Sequence, residues 1–311
     1  MNGKITVFGA GNVGGAVVRR LVERKFCKNV VLVDKAPGKA AGIALDLLEA
    51  SPIDLLEPVC VSGDDLEQTR DSEIVIITAG ATRKEGMTRD DLLKINAAIV
   101  GECVSQAARY SPYAFYIIVS NPLNVMCHVA MRAGQLPRSR VVGMAGVLDT
   151  CRFQYFLSKE LGVSVENVQA MVLGEHGEDM VPVPRYSTVA GIPVSELLPK
   201  ERLDALIGRT RDGGAEIIRL MQTSAFYAPA SAVIQMVSAV VMNKKKILPC
   251  AAFLTGQYGI HETFVGVPVK LGASGVEDVI EVALTDEEKS ALVASAAKIK
   301  KQLAVIGETN G

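Results

Sequence analysis

The stretch Ile5–Val18, ITVFGAGNVGGAVV, decides the fold of this 311-residue chain. Ile5–Phe8 is a short apolar run of the kind that forms a buried strand. Gly9, Ala10, Gly11, Asn12, Val13 and Gly14 then supply Gly-x-Gly-x-x-Gly, ahead of a helix expected over Val13–Glu23. In such a turn the first glycine permits a sharp reversal, the second lets the backbone approach a pyrophosphate, and the third lets helix pack on strand. The helix N-terminus adds free N–H donors and the positive end of a dipole. Asp34 closes the next expected strand, Val30–Asp34, about 20 residues past Gly14. A carboxylate there accepts from a ribose 2′-hydroxyl and disfavours a 2′-phosphate. Together these features predict dinucleotide binding through Gly9–Gly14 and Asp34, with NAD as the cofactor rather than NADP.

Outward from this stretch, strand-like and helix-like segments alternate. Further strands are expected at Val59–Ser62, Ile74–Thr78, Phe115–Ser120 and Val141–Gly143, and helices at Lys39–Ala50, Thr88–Tyr110 and Asn124–Ala133. Short β-rich runs separated by helices indicate a parallel sheet covered on both faces, the doubly wound (Rossmann) α/β arrangement. The second half reads as α+β. Helices are expected at Asp149–Leu161, Lys200–Thr223 and Ala230–Met242, and strands at Val168–Leu173, Ile247–Thr255 and Val265–Leu271. A closing helix opens on the capping-box pair Thr285 and Glu288. The change of pattern divides the chain into a dinucleotide-binding domain, 1–146, and a substrate-binding catalytic domain, 147–311.

Composition excludes several classes. Lys+Arg total 33 and Asp+Glu 34, so the chain has no broad basic field for nucleic acid or an anionic membrane. The most apolar stretch, residues 225–242, contains Pro229, Ser231, Gln235 and Ser238 and suits a buried helix better than a membrane span. The six cysteines form no Cys-x-x-Cys pair and suit a reducing compartment. With no secretory or import pattern at the start, the expected location is the cytoplasm.

Three histidines occur. His128 lies in a helical stretch and His261 in YGIHETF, and both read as structural or surface residues. His176, in VLGEHGEDM, follows a strand and is flanked by Gly174 and Gly177, which present it at a strand end. Glu175, Glu178 and Asp179 lie nearby, but no second histidine has ligand spacing, so no metal is expected. GVLDTCRF places Asp149 and Arg152 three residues apart, on one side of a helix. An aspartate can fix the tautomer of an imidazole, and an arginine beside it can grip a carboxylate with two parallel hydrogen bonds. Asn121 ends the fifth strand and is either a turn residue before Pro122 or an amide donor to a substrate. Asn96 lies mid-helix, where a ligand contact or solvent exposure would account for it. SEIVIITA runs into GATRKEGMTRDD, a strand followed by a loop carrying Arg83, Lys84 and Arg89 that suits an anionic ligand. Tyr155 and Lys159 have the spacing of short-chain dehydrogenases, but the glycine pattern differs and the spacing is read as coincidence.

GAGNVG, GATRKEGMTRDDLLKINA, SNPLNV, GVLDTCRF and GEHGEDMVPVPR occur in that order, with GQYG and GVPVKLGASGVE near the end. Over essentially the whole chain this resembles the lactate/malate dehydrogenase superfamily, and RKEGMTR resembles its malate dehydrogenases of the lactate-dehydrogenase-like bacterial type. The resemblance implies reversible NAD-dependent oxidation of (S)-malate to oxaloacetate. It makes His176 the acid/base, Asp149 its partner, and Arg152 the clamp on the carboxylate beside the reacting carbon. Arg89 would polarise the carbonyl with Asn121 beside it, and Arg83 would select the far carboxylate, on a loop that closes over substrate. Asn96, Val119, Ser120 and Asn121 would touch the cofactor side. It further implies a homodimer or homotetramer, and a place in the tricarboxylic acid cycle. Two departures stand out: Asn124 occupies a position more often Asp, and QTSAFYAP is a residue shorter than in some relatives. The alternatives are a lactate or other 2-hydroxy-acid dehydrogenase, and a catalytically silent NAD-binding regulatory protein.

Overall fold

The computed structural model describes residues 3–55, 60–62, 65–82, 86–177 and 179–307. In the first half, β1 (Lys4–Phe8), α1 (Asn12–Arg24), β2 (Asn29–Val33), α2 (Lys39–Asp54) and β3 (Cys60–Ser62) are followed by β4 (Ile74–Ile77), α3 (Arg89–Tyr110), β5 (Phe115–Ile118), α4 (Leu123–Ala133) and β6 (Val141–Gly143). These strands pair in parallel in the order β3-β2-β1-β4-β5-β6, the doubly wound order expected from sequence. Every residue of β4 and β5 is buried, because helices cover both faces of the sheet. In α1 the buried positions are Gly14, Val17, Val18, Leu21 and Val22, one stripe at helical spacing.

The second half contains α5 (Gly146–Leu161), β7 (Val168–Gln169), β8 (Val172–Gly174), β9 (Met180–Pro182), β10 (Thr188–Val189), β11 (Ile192–Pro193), α6 (Val194–Leu197), α7 (Lys200–Met221) and α8 (Tyr227–Val241). A long hairpin of β12 (Lys246–Thr255) and β13 (His261–Gly272), then β14 (Gly275–Val279) and α9 (Asp286–Val305), complete the described chain. Thr285 and Glu288 form the expected capping box at α9, and Thr88 with Asp91 forms another at α3.

Two expectations change. The single strand Val168–Leu173 is two strands. β7 joins a small sheet with β10 and β11, while β8 pairs with β9 and β13. The break falls where the Met171 N–H turns to the Ser187 hydroxyl and the Val172 N–H to the Thr150 hydroxyl. The helix expected from Ala230 begins at Tyr227; Pro229 sits in its first turn, where a missing N–H costs nothing.

The division expected at 146/147 falls at the start of α5, but the main sheet does not stop there. β6 pairs with β12 at Gly143 and Ala251, and β12, β13, β8 and β9 continue the same sheet antiparallel. The principal core likewise draws buried residues from both halves, and a smaller cluster lies around Phe153, Leu157 and Val172. No helix is long and apolar enough to cross a membrane among the described residues.

His128 on α4 is buried between Phe253 and Phe264, each edge-on to its ring. Burial, ahead of repulsion from Arg132 and Lys300, lowers its pKa from 6.5 to about 4. The fold therefore accepts the neutral ring. Its contribution to stability is full above pH 6.5 and is lost as pH falls through about 4, where charging it in place costs about 3 kcal/mol. Thermal melts across this window are expected to show Tm falling with pH. His128→Leu should flatten that fall; an unchanged slope would assign acid lability to other groups.

Candidate active site

Where β1 ends, Gly9 has φ +106°, and a Cβ there would lie 2.7 Å from the Ala79 nitrogen. A Cβ on Gly14 would lie 1.8 Å from the Gly9 carbonyl oxygen, so strand and helix meet only because both residues are glycine. Gly11 differs: nothing lies within 4 Å of where its Cβ would be. It is the N-cap of α1 and supplies no side-chain cap, which leaves the first N–H groups of the helix, from Asn12 to Gly14, open to an anion. This open cradle fits the pyrophosphate of a dinucleotide.

Asp34 lies beside the cradle, and its carboxylate organises the loop. Oδ2 accepts from the Ala10 N–H at 2.6 Å, and Oδ1 from the Ala36 N–H at 2.9 Å. Thr78, which sequence reading passed over, donates its hydroxyl to the Phe8 and Gly9 carbonyls. The buried Ser120 hydroxyl donates to the Ala79 carbonyl at 2.6 Å. Asn96 is also buried, which removes solvent exposure as its explanation. Its Oδ1 accepts from the Ala81 N–H at 2.7 Å, and its Nδ2 donates to the Asn121 carbonyl at 2.8 Å. Asn96 and Ser120 thus brace the loops after β4 and β5 through hydrogen bonds to backbone. Asn121, exposed at the end of the loop after β5, precedes a cis peptide bond to Pro122.

The candidate proton-handling residues, Asp149 and His176, come from the second half. Asp149, in the first turn of α5, is 1% exposed and would be a costly charge if unpaired. Its Oδ2 lies 2.8 Å from Nδ1 of His176, and its Oδ1 lies 3.4 Å from Nη1 of Arg152. An ionised carboxylate only accepts, so Nδ1 of His176 carries the hydrogen and Nε2 is the basic nitrogen of the neutral ring. His176 sits between Gly174 (φ +85°) and Gly177 (φ +117°), the unusual backbone expected of it. A Cβ on Gly174 would strike the Asp179 carbonyl, and β13 approaches so closely that a Cβ on Gly266 would lie 2.3 Å from the Gly174 oxygen. Ser295 on α9 accepts from the Glu175 N–H at 2.9 Å and pins the other side of the histidine. Burial raises the pKa of Glu175, partly offset by Lys298.

Both halves meet at a 560 Å³ cleft whose wall includes Val13, Asn121, Arg152 and His176. α7 supplies the facing wall. Gly213 and Gly214 lie against the Arg152 side chain, and Arg211 also lines the cleft. Sequence reading missed this wall; the Gly-Gly pair in RTRDGG was the available signal. Arg152 is mostly buried, and its Nε has no protein partner. Arg89 is placed elsewhere: it begins α3 as an exposed residue outside the cleft lining. Arg83 and Lys84 lie outside the described residues, as does Glu178. Tyr155 and Lys159 project from α5 away from the cleft lining, with Tyr155 half exposed, as their reading as coincidence requires.

Residues 3–143 match the family model for the NAD binding domain of lactate/malate dehydrogenase, and residues 146–309 match the model for its alpha/beta C-terminal domain. The chain belongs to the lactate/malate dehydrogenase family. It is therefore an NAD-dependent oxidoreductase, and the Gly9–Gly14 loop lies within its NAD binding domain. It is 51% identical to a malate dehydrogenase of Chloroherpeton thalassium, with 96% of each chain covered. The malate dehydrogenase structure from Salinibacter ruber superposes with a TM-score of 0.93 at 47% identity, covering 98% of this chain and 97% of that one. A lactate dehydrogenase from Cryptosporidium parvum, solved with lactic acid and the cofactor, superposes at 0.94 but is 33% identical, covering 100% and 99%.

Asp34 braces the loop, and the expected choice of cofactor is a separate duty to be tested. Asp34→Ser is expected to weaken NADH binding by about tenfold, the loss of a charged hydrogen bond, and to narrow the preference over NADPH. Fluorescence titration with both cofactors measures this; an unchanged ratio would leave Asp34 only its backbone contacts.

Proposed function

We propose that the chain catalyses the reversible NAD-dependent interconversion of (S)-malate and oxaloacetate, with His176 as the proton carrier. The observation that carries this reading is the buried Asp149 carboxylate, shared between Nδ1 of His176 and the Arg152 guanidinium in the wall of the cleft. Bound NAD supplies the hydride acceptor at the carbon bearing the hydroxyl. In that direction Nε2 of His176 takes the hydroxyl proton, and Asp149 stabilises the imidazolium that forms. In reverse Nε2 returns the proton to the carbonyl oxygen of oxaloacetate. Arg152 grips the adjacent carboxylate with its free donors. Asn121 offers its amide at the opposite lip.

Arg83, before α3 in the sequence, and Arg89, the first residue of α3, would complete the site. Arg89 would stabilise charge on the reacting oxygen, which requires the start of α3 to approach the cleft. Arg83 would bind the far carboxylate and select against a methyl group, since an unpaired arginine in a closed site is costly. The chain would work in the cytoplasm, in the tricarboxylic acid cycle, as a homodimer or homotetramer. Exposed Leu45, Ile53 and Leu55 on and after α2, with Leu220 and Tyr227 near the α7–α8 turn, support self-association.

NADH oxidation with oxaloacetate, and separately with pyruvate, tests the activity; equal or better use of pyruvate would favour a lactate-type enzyme instead. His176→Asn should lower turnover by about 10²–10⁴-fold while NADH binding is retained. Turnover within a factor of about ten of the parent would remove His176 from proton transfer. Arg83→Gln should reduce oxaloacetate efficiency by at least about tenfold and improve the relative use of pyruvate. A constant oxaloacetate-to-pyruvate ratio would reduce Arg83 to a solvated charge.

A further inference from the structure

α1 and α8 pack against each other, and their first turns both border the catalytic cleft, through Val13 and Pro229. Towards the opposite ends of the two helices lies a second cleft, of 290 Å³. Phe26 and Ile234 line it beside the polar Ser231, Gln235 and Ser238 of α8, and Arg20, Arg24, Lys244 and Lys246 bring four cations to it. No carboxylate lines it, and among the described residues none of these four side chains forms an ion pair. In a chain of net charge -1 this is a strictly local excess of positive charge.

Helix ends account for only part of it. Arg24 lies in the last turn of α1, where a cation complements the carbonyl end of the helix. Two such ends, at about half a charge each, offset roughly one of the four cations. Burial, and then repulsion from Lys244, pulls the Lys246 ammonium below its usual pKa, as expected of cations held together without a counter-charge.

The geometry points to an anion site outside the active site: we propose that this cleft binds a diphosphate group, held by Arg20 and Arg24 on one wall and Lys244 and Lys246 on the other. The arginines are one helical turn apart, about 6 Å along the axis, and their planar forks suit phosphate oxygens. Two pairs of cations match two adjacent phosphates, and the volume suits a small ligand rather than a chain of nucleotides.

Inorganic pyrophosphate and ADP are the two probes, titrated calorimetrically at constant ionic strength into protein saturated with NADH, so that the Gly9–Gly14 cradle is occupied. The expected result is saturable binding of one diphosphate per chain. Arg24→Gln with Lys246→Gln should weaken it at least about tenfold without altering NADH affinity. Lys25→Gln with Lys28→Gln, which removes two exposed cations outside the cleft, should leave it intact. Binding of both probes assigns the site to the diphosphate itself, and tighter binding of ADP assigns the source to a nucleotide. Absence of saturable binding by either probe, or an equal loss in both double variants, would overturn the proposal.

Discussion

The carboxylate of Asp149 is the point on which the active-site architecture turns. It is buried, and a buried charge is tolerated only when paired and hydrogen-bonded. Its two oxygens face His176 and Arg152, so one residue orients the imidazole and anchors the guanidinium, the groups proposed to carry the proton and hold substrate. That arrangement constrains three separate parts of the fold. α5 must start directly after β6, so that Asp149 falls in its first turn. β8 must end in the left-handed glycine that turns His176 towards it. α7 must present a small residue at Gly213, where a Cβ would lie 3.3 Å from the Arg152 side chain.

The glycine loop after β1 and His176 lie in different halves of the chain, and a continuous sheet fixes their separation. β1 and β4 are neighbours at the switch point of the doubly wound half, where the strand order reverses and the glycine loop follows β1. β6 then hands the sheet on to β12 and β13, and β13 holds β8 and thus His176. Asn96 and Ser120 tie the loops after β4 and β5 to each other, so the floor between cradle and histidine is braced by buried hydrogen bonds. Asn124 works at the same seam. Its amide donates to the Phe264 carbonyl, joining α4 to β13 with a neutral side chain where a carboxylate would be buried.

Polar residues in this protein divide by what their side chains touch. Asn96 and Ser120 are legible as polar residues near a site and Thr78 is not, but the hydrogen bonds of all three go to backbone, and their effect on a ligand passes through the loops they hold. His176 and Arg152 line the cleft, and Arg152 keeps its Nε without a protein partner. The distinction depends on burial and partner geometry, which linear spacing does not encode.

The sequence by itself determined the parallel half of the sheet, the glycine cradle, Asp34 at the end of the second strand, and the candidacy of His176, Asp149 and Arg152. Each of these rests on short-range pattern: apolar runs, glycine spacing, a helix-face interval, and a histidine between glycines. Only the tertiary structure decided that Asp149 reaches His176 across 27 positions, that α7 walls the cleft, that Asn96 is a buried brace, and that one sheet runs through both halves. It also split the strand expected at Val168–Leu173, since the two pieces pair with different sheets. These outcomes depend on which strand edges and helix faces meet, a choice made by burial of apolar surface over the whole chain and not recorded in any local stretch.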